Sequence, residues 1–128
     1  MGTVKDHLEM MAPSLRATVQ SARRAVRAAA PEAREAACQS KPPRSKRPMW
    51  KIARYFVGET EFAAIGTFST HAHLYFQRGV EIDDGSGLLE GRGKALRSIR
   101  LETPQDAARR GVKGVIRRAA RLAGSQSV

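Results

Sequence analysis

The chemistry-bearing residues of this chain gather past its midpoint. Gly91-Arg92-Gly93-Lys94, followed by Arg97, places two glycines and three basic side chains in one short turn. Glycine admits positive φ and lets a ligand approach the backbone closely. Backbone N–H groups beside cationic side chains suit a phosphate or a carboxylate. The run is not a P-loop, because four intervening residues and a Ser or Thr after the lysine are missing. The plainer alternative is a tight connection whose basic side chains point to water.

His71 and His73, two apart in an alternating segment, project to the same side of a strand. Imidazoles so placed ligate a transition metal when carboxylates join them, and Glu81, Asp83 and Asp84 follow in the next loop. No His-x-x-x-His or cysteine-rich spacing supports this set, and His7 is remote in sequence, so two surface histidines are the competing expectation. A Gly-x-Ser-x-Gly elbow, a paired-carboxylate signature and a dinucleotide fingerprint are all missing. The residues therefore favour a non-enzymatic binding domain with no resident cofactor.

Charge narrows the class of ligand. Twenty-three Lys+Arg stand against 12 Asp+Glu, a formal net charge of +11 with a sequence pI near 11.0. Such a field concentrates polyanions and repels cations. Nucleic acid is one candidate, through the basic faces of the helices. The aromatics Trp50, Tyr55, Phe68 and Tyr75 can stack bases if they are exposed, although so few large residues are expected in the core. A solvated surface with no partner explains the same charge.

These residues must be positioned by one domain, since 128 residues make one core and not two. Leu15, Val19, Ala22, Val26 and Ala29 recur at helical steps, with Arg16, Arg23, Arg24 and Arg27 on the other sides. Pro31 ends or restarts this helix, and Glu32 and Glu35 continue a weaker helical pattern to about Cys38. Residues 39–48 hold three prolines and four basic residues and read as an exposed loop. Strands are expected over Trp50–Val57, Glu61–Thr67 and Ala72–Gln77, joined by short turns that favour antiparallel pairing. A fourth strand carries Leu96, Ile99 and Leu101.

Thr103, Pro104 and Asp106 then signal the start of a last helix, with Ala108, Val112, Val115, Ile116 and Ala119 as its stripe. Residues 124–128 read as a flexible tail. The expected fold is α+β: an N-terminal helix, an antiparallel sheet of four to five strands, and a C-terminal helix on the same sheet face. No stretch reaches the roughly 20 apolar residues of a membrane span, no secretory signal is evident, and the lone Cys38 suits a reducing, cytoplasmic setting. Cys38 itself reads as an inert thiol near a helix end rather than a reactive one.

The segment Phe68–Phe76, with Gly79, Asp83, Leu88-Leu89-Glu90-Gly91, Gly93-Lys94 and Leu96-Arg97, resembles the YdhG-like family of bacterial domains of unknown function. The resemblance is specific over Phe68–Arg97. It implies an α-β-α arrangement similar to frataxin, and one family member is described as a frataxin-like intracellular iron chaperone. By position His71 matches the family histidine, and Gly91, Gly93, Lys94 and Arg97 match its glycine-lysine-arginine run. Neither implies a catalytic role. An iron chaperone would use an acidic ridge on the first helix, where this chain presents Arg16, Arg23, Arg24 and Arg27. A hard cation is repelled by such a surface.

Three functions follow as expectations. The first is a binding domain for an anionic ligand at Gly91, Arg92, Gly93, Lys94 and Arg97, with His71 as auxiliary. The second is an iron chaperone using His71, His73, Glu81, Asp83 and Asp84. The third is a nucleic-acid accessory protein acting through its basic helices.

Overall fold

A computed structural model describes residues 3–38, 50–83, 85 and 87–126. The residues 39–48 expected as a loop, Asp84, and the last two positions of the expected tail lie outside them. Thr3 opens α1 (Val4–Glu9) with a capping box, its hydroxyl accepting from Asp6 N and the Asp6 carboxylate from Thr3 N. The following helix, α2 (Pro13–Ala29), starts on a proline and buries Leu15, Val19, Ala22, Val26 and Ala29, the stripe expected from spacing. Arg16 joins the two helices by donating to the carbonyls of Leu8 and Met11.

Past α2 the expected helical continuation is replaced by a strand. Pro31 and Glu32 form a turn, and β1 (Arg34–Ala37) pairs antiparallel with β2 (Trp50–Val57). Its Glu and Ala residues are good helix formers, but Glu35 is held in the strand by tertiary bonds. It accepts from Arg23 of α2 at 2.8 and 3.0 Å and from the Tyr55 hydroxyl at 2.6 Å. Burial opposes the charge on Glu35, yet these two donors keep its carboxyl below the usual range.

The sheet is a meander in the order β1-β2-β3-β4-β5, with every pair antiparallel. A two-residue turn at Gly58 (φ 60°) and Glu59 joins β2 to β3 (Thr60–Thr67). Then follow β4 (Ala72–Phe76), a short α3 (Gly79–Ile82) and β5 (Arg97–Leu101). Both α2 and α5 (Arg110–Gln126) pack on one face of this sheet and against each other. The core there is Ile65, Leu74, Phe76, Ile99, Leu101, Val26, Val112 and Ile116, each at most 4% exposed. Burying one such side chain is worth about 1.5–3 kcal/mol. The α+β architecture with helices on one sheet face is thus what the chain adopts.

The last helix differs from expectation in three ways. Thr103 and Asp106 do form the capping box, but of a five-residue α4 (Pro104–Ala108). Arg109 then takes an extended ψ of 140° and breaks the helix, its carbonyl accepting from Val112 N and Lys113 N as α5 starts. The break lets α4 lie along α2 while α5 turns onto the sheet, so Ala107 is buried and Ala108 is exposed. Helix α5 also continues through residues 124–126, part of the expected tail. Leu96, expected on the fourth strand, precedes β5 and is 46% exposed.

Candidate functional site

Two bulges decide which side chains the sheet turns away from the helices. Along β2–β3 the register passes from Lys51–Gly66 to Ala53–Ile65, and from Tyr55–Ala63 to Phe56–Glu61. Ile52 and Phe62 are the extra residues, and each adds a buried side chain to the helix-facing side. The first bulge puts Trp50 and Tyr55 on the same inner side, although five residues apart would separate them in a regular strand. Trp50 and Tyr55 are therefore core.

Phe68 and Tyr75 are not. They belong to the opposite face, which no helix among the described residues covers, and both are half-exposed. Two cross-strand rows run over that face. Lys51, Gly66, His73 and Arg100 make one, and Arg54, Ala64, Tyr75 and Ser98 the other. Cations thus stand on β2, aromatic rings on β4, and only Ala64 and Gly66 between them on β3. Arg34 of β1 and Arg54 lie over the Phe56 ring, 4.5 and 5.1 Å from its centre.

The rings form a continuous row. Phe68 and His71 stack with centroids 4.7 Å apart and planes 10° apart, and His73 stacks on Tyr75 at 5.6 Å and 22°. His71 and His73 meet at 5.3 Å with planes inclined by 64°. His73 Nδ1 shares a 3.0 Å hydrogen bond with Ser98 Oγ. Burial, the neighbouring His71 and Arg100 hold His73 below the ordinary histidine value, and burial with Arg100 does the same for His71. Around neutral pH this favours two uncharged rings in the row.

Glu61 is the carboxylate built into this face. It accepts from Arg54 at 2.6 Å, lies 3.6 Å from Lys51 Nζ, and bonds the Gln77 amide. Arg100 stands 3.6 Å from Glu102 at the β5 end, both well exposed.

The glycine-basic turn is arranged differently from the expected anion site. Arg97 donates from Nη1 to its own turn, at 2.7 Å to Gly93 O and 2.8 Å to Leu96 O. Its guanidinium therefore staples the backbone, while Arg92 and Lys94 extend into solvent. Gly91 has φ 137°, a conformation glycine supplies. His71 does not join this group. Arg97 pairs with Phe76, five positions along β4 from His71, which is about 17 Å of strand.

The expected metal ligands are also dispersed. His71 and His73 are neighbours, but Glu81 and Asp83 belong to α3 and its end, beyond the far end of β4. Glu81 is engaged by Arg78, with Nη2–Oε1 at 2.6 Å, and Asp83 accepts from Gly85 N at 2.9 Å. Among the described residues no three His, Cys, Asp or Glu side chains gather into a metal-holding group.

His7 is wholly buried, with Nε2 2.5 Å from Cys38 O and its ring against Trp50. Burial lifts the Cys38 thiol above its ordinary value, which fits an inert cysteine.

The helices offer fewer free cations than their sequence suggests. Arg16 and Arg23 bond within the fold, and Arg118 donates to Ile82 O at 3.2 Å. Arg24, Arg27, Arg117 and Arg121 remain exposed on the outer helix sides. The contributions of Arg34, Phe56, Glu61, Ser98 and Arg100 to the open face were missed from sequence. Their signal is strand parity with His73 and Tyr75, legible only once register is known.

Among the described residues no helix is long and apolar enough to cross a membrane. Comparison with protein-family models, with curated proteins and with solved structures finds no significant match.

Proposed function

We propose that this chain is a non-enzymatic nucleic-acid-binding domain whose ligand lies on the open face of the sheet. The observation that carries this reading is the row Phe68–His71–His73–Tyr75, set two strand spacings across from Lys51 and Arg54 and beside Arg100. Rings that stack and cations that meet phosphate are the two parts a nucleic-acid surface needs. The net charge of +11 supplies the long-range attraction.

The anionic class of ligand expected from the sequence is kept, and its place moves from the glycine turn to the sheet. Arg97 donates to the turn's own carbonyls, and Arg24, Arg27, Arg117 and Arg121 are exposed on the outer helix sides. The likeness to YdhG-like domains enters this proposal for the frame alone: helices on one side of an antiparallel sheet.

Charge reversal tests the placement. Arg34→Glu with Arg100→Glu is expected to abolish oligonucleotide binding at about 0.15 M salt, while Arg24→Glu with Arg117→Glu weakens it only through net charge. Equal loss from both pairs, or binding confined to low salt, overturns the reading.

A further inference from the structure

We infer that the open face takes single-stranded nucleic acid, its bases stacked on the two ring couples Phe68–His71 and His73–Tyr75. This rests on the nucleic-acid reading above and narrows it to one class of strand.

The geometry of the sheet separates single strands from duplexes. Five strands about 4.8 Å apart make a face about 19 Å across, and the rings lie on β4 and the turn before it, one strand in from the edge. A B-form major groove is about 12 Å wide and accepts a helix or a two-stranded ribbon, so this face does not enter it. Against a duplex the face meets phosphates only, and the rings have no base to touch. A single strand presents base faces, and every base has one.

The arrangement across the strands fits the same ligand. On β3, Ala64 and Gly66 stand between the cations of β2 and the rings of β4, and the Glu61 carboxylate is held by Lys51 and Arg54. These flanks lie two strand spacings apart, about 9.6 Å. A strand laid along β3 turns its bases to His73 and Tyr75 and its phosphates to Lys51 and Arg54, in competition with the Glu61 carboxylate. Neighbouring ring centroids in the row are 4.7–5.6 Å apart, too close to admit a base between them, so bases stack on the outer faces of the two couples. Recognition by stacking is tolerant of sequence, which suits a face with few groups placed to read base edges.

Equilibrium binding of a fluorescent single-stranded 12-mer and of the same sequence as a duplex, at about 0.15 M salt, tests the inference. The single strand is expected to bind at least about tenfold tighter. Tyr75→Ala and Phe68→Ala are each expected to weaken the single strand by about tenfold, leaving duplex binding and the salt dependence unchanged. Phe68 precedes β4 in the connecting turn, so its variant keeps the strands intact where Tyr75→Ala does not fold. Equal affinity for both forms, or no effect of the ring variants, overturns the single-strand inference and leaves a phosphate-binding face. No binding of either form overturns the nucleic-acid reading itself.

Discussion

His73 Nδ1 meets Ser98 Oγ at 3.0 Å across the β4–β5 pair, which fixes an imidazole ring in the middle of a sheet face that no helix among the described residues covers. Its burial, His71 just before its strand, Glu90 beside β5 and Arg100 on β5 set its charge state. Burial and the two like-charged neighbours outweigh Glu90, so its folded value lies below the ordinary 6.5.

The sign of the resulting pH dependence is fixed. A histidine depressed in the folded state binds protons more readily when unfolded, so stability rises with pH across that range. The stability is fully present above about 6.5 and is lost as pH falls from there through the lower folded value. Urea midpoints at about pH 7.5 and about pH 5 are expected to fall further for the native chain than for His73→Asn, which keeps a polar group near Ser98. An identical fall in both places the acid sensitivity elsewhere.

Glu61 competes with any phosphate for Lys51 and Arg54. Glu61→Gln is therefore expected to tighten oligonucleotide binding about three- to tenfold and to steepen its salt dependence. Weaker binding would mean that these cations need the carboxylate to hold them in place.

On the helix side, Glu35 links α2 to the sheet through Arg23 and Tyr55. Tyr55→Phe removes one hydrogen bond and is expected to cost about 1 kcal/mol. Glu35→Ala leaves a half-buried guanidinium without its partner and is expected to cost about 2–3 kcal/mol in chemical denaturation. The double variant is expected to cost less than the sum, because both lose the same bond.

Two glycines separate close approach from chain flexibility. A Cβ on Gly79 would stand 2.3 Å from Arg97 Cβ and 2.7 Å from its backbone nitrogen, so Gly79→Ala forces the start of α3 away from β5. The expected loss is about 1–3 kcal/mol. Gly114, inside α5, has only the Arg118 guanidinium nearby at 3.7 Å. Gly114→Ala is expected to stabilise by up to about 1 kcal/mol, read as a rise in thermal midpoint.

Residues whose local chemistry agrees with the fold were legible in sequence. The stripe Leu15–Ala29, the Thr103–Asp106 box and the alternation of Ala72, Leu74 and Phe76 each carry their own signal. What the sequence hid depends on non-local contacts. β1 is made of helix formers and exists because Glu35 reaches Arg23 and Tyr55. The bulge at Ile52 reverses the parity of β2, which sends Trp50 and Tyr55 to the core together. That left Phe68 and Tyr75 as the stackable pair. The anion site over Gly91–Arg97 rests on the spacing of glycines and basic residues in one turn, and that spacing does not reveal that Arg97 folds back onto its own turn.

The most direct measurement is a map of backbone amide shifts as a short single-stranded oligonucleotide is titrated into isotope-labelled protein at about 0.15 M salt. The largest changes are predicted at His73, Tyr75, Ser98 and Arg100, with Ala64 and Gly66 between the rings and the cations, and with α2 and α5 quiet. Largest changes at Gly91–Lys94, or along the outer arginines of α2 and α5, would contradict the placement of the ligand on the sheet.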